Sequence, residues 1–173
     1  MATFVLVHGA WGGGWEWRFV ADWLQRRKHI AHRPTLTGLG ERRHLARPEI
    51  DLETHIADVL AVLECEGLDD VVLVGQSYGG AVVTGVGDRA ADRITHLVYV
   101  DAFAPRDGES VNDLSPTAFV ARLRQLAAKT RGGWEVPVPF APDELGLPAE
   151  VEDWYARRSS FRIRWPRWSS PYV

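Results

Sequence analysis

The residues with the clearest capacity for chemistry stand together at 75–79, Gly75-Gln76-Ser77-Tyr78-Gly79. Val71-Val72-Leu73-Val74 runs straight into them, and small residues follow from Gly80. That order predicts a strand, a sharp turn and a helix. A serine at the tip of so tight a turn is held in a strained conformation, with its hydroxyl pushed out above the sheet. Side chains beside it would collide, which explains Gly75 and Gly79. The helix that follows aims its free N–H groups and positive dipole end at the same spot, which suits a developing oxyanion. Ser77 is the candidate nucleophile.

A second motif lies upstream. Phe4 to Val7 is a continuous apolar run, as expected of a parallel strand buried on both faces. It ends in His8-Gly9-Ala10-Trp11 and then Gly12-Gly13-Gly14. A glycine-rich loop after His-Gly can supply a backbone N–H to an oxyanion hole. The rival reading, a phosphate cradle, needs Gly-x-Gly-x-x-Gly or Gly-Lys-Ser/Thr, and this loop has neither.

These motifs need a scaffold, and the apolar periodicity supplies one. Trp15, Phe19, Val20, Trp23 and Leu24 predict an amphipathic helix over about 15–27, with the tryptophans in the core. Ile30 to Leu36 reads as a short strand leading to a loop at 37–44. Asp51 caps a helix carrying Leu52, Ile56, Val59, Leu60 and Leu63 on one face, and Gly67 ends it. Val71–Val74 and Ile94–Val100 are strands, with a helix over 79–91 between them. Strands alternating with helices predict an α/β fold with a parallel sheet of about four strands.

The alternation stops after Asp101. Ser115-Pro116 is expected to cap and open a helix, and Pro148 to open another through Trp154 and Tyr155. The expected organisation is a core at 1–104, a helical lid at 105–158 and an atypical tail at 159–173. From Arg157 to Val173 there are five arginines, two tryptophans and no acid. The abrupt shift in composition reads as a truncated or out-of-frame end, with sheet strands missing beyond it, rather than as a nucleic-acid or membrane-binding tail.

Composition narrows the classes. A chain of 173 residues is one domain with enough apolar sequence for a core. A net charge of −3 gives no general attraction to nucleic acid. Cys65 is the one cysteine, so neither a disulfide framework nor a cysteine metal site is expected, and Glu64 and Glu66 beside it disfavour a thiolate. The N-terminus enters a strand without a basic region or long apolar run, so no membrane span and a cytoplasmic location are expected.

Four stretches in this order, Val5-Leu6-Val7-His8-Gly9-Ala10-Trp11, Thr37-Gly38-Leu39-Gly40-Glu41-Arg42, Val74-Gly75-Gln76-Ser77-Tyr78-Gly79-Gly80 and Val98-Tyr99-Val100-Asp101-Ala102-Phe103, resemble the α/β-hydrolase superfamily. The resemblance is to the branch of methyl-salicylate-type esterases, pyrethroid-type esterases and hydroxynitrile lyases. It implies Ser77 as nucleophile, backbone N–H groups of Ala10 and Tyr78 as oxyanion donors, and a structural role for His8. Hydroxynitrile lyases of the branch resemble one another in a threonine after that histidine and a cysteine after the serine. Gly9 and Tyr78 stand there instead, which favours ester hydrolysis.

The chain departs from the pattern in its base. Chain order in this architecture is serine, then acid, then histidine, yet no histidine follows His96. His96 starts its strand at the end opposite the turn, and His55 sits on a helix, solvated or bordering the core. His44, in a loop at the correct end, is the best-placed substitute. Asp101 ends its strand on the correct face. Without further strands, Leu97–Val100 is an unpaired apolar edge, which predicts a homo-oligomer covering it. The expected function is cofactor-free hydrolysis of a small apolar ester through acyl-Ser77, with Trp11 and the lid shaping the pocket. The alternative is a catalytically impaired homologue that binds a small molecule or a partner chain.

Overall fold

The computed structural model describes residues 1–130, 132–140, 144, 146–158 and 163–164. Four parallel strands form the main sheet in the order β2-β1-β3-β4. They are β1 (Thr3–Val7), β2 (Ile30–His32), β3 (Val71–Gln76) and β4 (Ile94–Val100). The register runs Thr3↔Val71 to Val7↔Gly75 and Val72↔His96 to Gln76↔Val100. Consequently β1 and β3 end at one level, and His96 starts four residues below that end, roughly 13 Å away at ~3.3 Å per residue.

The two central strands are apolar over Phe4–Val7 and Val71–Val74, where both faces are covered. Val5, Val7, Val71 and Leu73 face α2 (Leu52–Cys65) and α3 (Gly79–Arg89). Leu6 and Val74 face the other way, onto Ala21 and Leu24 of α1 (Arg18–Arg26). The period-2 alternation of a strand divides them in this way. Asp51 caps α2 through a capping box, its carboxylate accepting from Thr54 N–H at 3.0 Å, as the sequence indicates.

Several local expectations change. The helix expected at 15–27 begins as a 3-10 turn over Gly14–Trp17 and becomes α-helical only at Arg18. Its tryptophans divide: Trp17 packs partly buried against the Leu6–Val74 cluster and Trp15 against Trp154, while Trp23 is 48% exposed beneath the Arg27 guanidinium, and Phe19 is 52% exposed. The strand expected to reach Leu36 stops at His32. Pro116 rather than Ser115 precedes α4 (Thr117–Ala128), while the Ser115 hydroxyl donates to Val111 O.

The segment after Asp101 holds α4, α5 (Ala149–Ala156) and a two-residue strand β5 (Glu135–Val136). Antiparallel to β5 lies β6 (Ile163–Arg164), a pairing the sequence does not reveal. The tail expected at 159–173 otherwise lies outside the described residues. Among the described residues no helix is long and apolar enough to cross a membrane.

Candidate active site

Ser77 sits between β3 and α3 with φ of 51°. This is the left-handed region that a non-glycine residue enters at a cost of roughly 1–3 kcal/mol. Backbone hydrogen bonds hold it there. Ser77 N–H donates to Val100 O at 3.3 Å, and Phe103 N–H donates to Ser77 O at 3.1 Å, so the end of β4 clamps the turn. The flanking glycines are required by contact. A Cβ on Gly75 would lie 2.6 Å from Gly79 O, and one on Gly79 would lie 2.7 Å from both Val7 O and His8 O. Gly9 brings the other loop alongside, where a Cβ would lie 3.1 Å from Ser77 Cβ and run into the Gln76 side-chain amide.

Ser77 opens into a cavity of about 450 Å3, within the range of small-ligand sites. Ala10 and Trp11 line it from the first loop, and Asp101 lines it from the end of β4. Val138, Phe140, Leu147 and Tyr155 line it from the segment beyond 105. Trp11 has φ of 63° and is a buried strut: its indole N–H donates to Val136 O at 3.0 Å, and its ring meets Phe140 edge-on. Asp101 has φ of 44°. Three strained non-glycine residues therefore converge on one cavity.

Tyr78, the residue after the serine, turns its side chain away into the core. Its hydroxyl lies 2.9 Å from His55 Nδ1, and His55 Nε2 lies 2.9 Å from Thr37 O. A carbonyl can only accept, so Nε2–H donates to Thr37 and Nδ1 accepts from the Tyr78 hydroxyl. His55 is thus buried and doubly bonded, not solvated, and burial holds it below the usual imidazole range. Thr37 is fixed in turn by Asp58, which accepts from its N–H at 2.6 Å and its hydroxyl at 2.7 Å. Burial likewise raises the Tyr78 phenol.

His8 is fully buried. Leu36 N–H donates to its Nε2 at 3.1 Å, so Nδ1–H donates to Gly9 O at 2.7 Å. Burial pushes its pKa down to about 4. His8 ties β1, the glycine loop and the chain after β2 together and has no ring nitrogen left for proton transfer. His44 is exposed on the 3-10 turn Gly40–Leu45 and does not line the Ser77 cavity. None of the described lining residues is a histidine, and no cluster among the described residues could hold a metal ion.

One titratable lining residue escapes sequence reasoning. Glu16, on the Gly14–Trp17 turn, lines the cavity; its carboxyl packs onto Gly12, Tyr155 hydrogen-bonds it, and burial pushes its pKa up to about 8. An acid between two tryptophans on an otherwise aromatic stretch was the available signal.

Residues 4–173 match the model of the alpha/beta hydrolase family. A carbendazim hydrolyzing esterase of Nocardioides sp. is 46% identical over 166 residues, covering 91% of this chain and 68% of the relative. A pyrethroid hydrolase of Sphingobium wenxiniae is 30% identical over 123 residues, covering 69% of this chain and 41% of the relative. Among solved structures, an extracellular alpha/beta-hydrolase from a Paenibacillus species superposes with a TM-score of 0.84 at 26% identity. That match covers 100% of this chain and 69% of the other. The chain thus spans about two thirds of the length of the first relative and about two fifths of the second.

Proposed function

Because the chain belongs to the alpha/beta hydrolase family, we propose that it carries the nucleophile and oxyanion elements of a carboxylic-ester hydrolase. Ser77 Oγ attacks the ester carbonyl, the alcohol leaves, and water releases the acyl group from Ser77. Backbone N–H groups of Ala10 and Tyr78 receive the oxyanion, the first from the loop after β1 and the second from the start of α3. The observation that carries this reading is the strained Ser77, held at φ 51° at the mouth of a 450 Å3 cavity that Ala10 also lines. Relatives named as esterases and hydrolases support the reaction class. The aromatic and aliphatic walls from Trp11, Val138 and Phe140 suit a small, largely apolar ester, and the segment 105–158 acts as the lid over it.

A second reading is binding without turnover. It is favoured by one observation: His8 and His55 have both ring nitrogens engaged, and no described lining residue is a histidine to take the Ser77 proton.

A fluorophosphonate serine probe followed by intact mass separates the two. Fast single labelling, lost in Ser77→Ala, means an activated serine and hydrolysis. Folded protein that stays unlabelled means that the cavity binds and does not turn over.

A further inference from the structure

The Ser77 cavity carries chemistry that the nucleophile does not use. Two carboxyl groups, Glu16 and Asp101, line it together with the rings of Trp11, Trp17, Phe140 and Tyr155. Among the described lining residues there is no lysine, arginine or histidine. Acidic groups set among aromatic faces form the environment that attracts an organic cation. We propose that this cavity is a subsite for a ligand bearing a positively charged, N–H-rich nitrogen group, with Glu16 as the residue that selects it. The proposal rests on the reading of the cavity as the substrate site and narrows the class of substrate: an ester, apolar elsewhere, whose acyl or alcohol part carries such a cation at the Glu16 end.

Glu16 is placed for this by three elements. The 3-10 turn Gly14–Trp17 follows the glycine loop directly, which keeps the carboxyl close to the cavity mouth. Its oxygens pack onto Gly12, where a Cβ would collide with them. Tyr155, on α5, hydrogen-bonds the carboxyl from the other side, and α5 is docked there by Trp15 against Trp154 at 5.1 Å and against Tyr155 at 5.7 Å. The titratable groups that share the cavity with Glu16 are therefore Tyr155, whose phenol burial keeps protonated and neutral, and Asp101. With its pKa raised to about 8 by burial, Glu16 is mostly protonated at pH 7. An arriving cation offsets the cost of burying the carboxylate, so Glu16 ionises and its proton passes to solvent. A neutral ligand of the same shape gives no such gain.

Calorimetry of the full chain with benzamidinium and with its neutral analogue benzamide tests this, at pH 7 in two buffers of different ionisation heat. Benzamidinium is expected to bind at least about tenfold tighter, releasing most of one proton per ligand, with the preference and the proton release both lost in Glu16→Gln. Equal affinities, no binding by either compound, a preference without proton release, or a preference unchanged in Glu16→Gln overturns the proposal. If the variant does not fold, the two measurements on the unaltered chain decide alone. Fluorophosphonate labelling of the same preparation keeps the failures apart. A labelled protein without cation preference loses the subsite only, and an unlabelled protein with the preference loses the hydrolase reading only.

Discussion

Trp11, Ser77 and Asp101 adopt φ of 63°, 51° and 44°, and all three line one cavity. At Ser77 the strain is measurable by substitution. Glycine accepts this conformation and alanine does not, so Ser77→Gly is expected to be more stable than Ser77→Ala by about 1 kcal/mol in urea unfolding, although neither is labelled by a serine probe. Tyr78→Phe removes the donor to His55 Nδ1 and leaves a buried acceptor empty. It is expected to cost about 1–3 kcal/mol by the same assay. The buried histidines set the acid limb of stability. His8 titrates near 4 when folded against 6.5 ordinarily, and His55 is shifted the same way. Folding therefore favours the neutral rings. Their contribution is full above pH 6.5 and is lost as pH falls through 4, about 3 kcal/mol for His8 alone. Glu16 is opposite in sign. With its folded pKa raised to about 8 from 4.5, its contribution is full below pH 4.5 and lost as pH rises through 8. Thermal midpoints across pH 4–9 should fall at both ends, and Glu16→Gln should flatten the alkaline limb alone.

At the scale of elements, the unit β3–turn–α3 works only because β1 ends beside it. Gly79→Ala places a methyl against two carbonyls of β1 and its following residue, so backbone must move. The expected cost is at least about 1–3 kcal/mol, with loss of serine labelling even in the folded fraction. This unit was legible in the sequence because β-branched runs and paired glycines have a local cause. The capped α2 was legible for the same reason, through Asp51 and Thr54. The α1 face was misread because periodicity says which residues are apolar, not how much sheet lies beneath them. On that side Leu6 and Val74 are the sheet residues buried with Ala21 and Leu24, with Phe4, Ala31 and Val72 packed only partly buried around them, and Phe19, Val20 and Trp23 remain exposed. Glu16 and the β5–β6 pair were invisible for a related reason: neither the meeting of Glu16 with Tyr155 nor a two-residue pairing between 135–136 and 163–164 leaves a period in the sequence.

For the whole molecule the unsatisfied feature is β4. Leu97, Val98, Tyr99 and Val100 are 36–41% exposed along a strand that, among the described residues, has one neighbour in the sheet. Leu97 and Tyr99 rest on α3, while the register places Val98 and Val100 on the face of α1, which lies at the far side of the sheet. An apolar edge of this kind pairs with other chains unless blocked. Sedimentation of the chain should show concentration-dependent association, and the double substitution Val98→Lys, Val100→Lys should reduce it without abolishing serine labelling. The order β2-β1-β3-β4 also has a temporal consequence. The central strand β1 is synthesised well before its partner β3, which begins at Val71. At ~5–20 residues per second, β1 leaves the ribosome roughly 3–14 seconds before the strand that completes its burial. During that interval Phe4-Val5-Leu6-Val7 has β2 and α1 to rest on but lacks β3 and the α2–α3 layer, so half of its burial waits on the same residues that build the turn at Ser77.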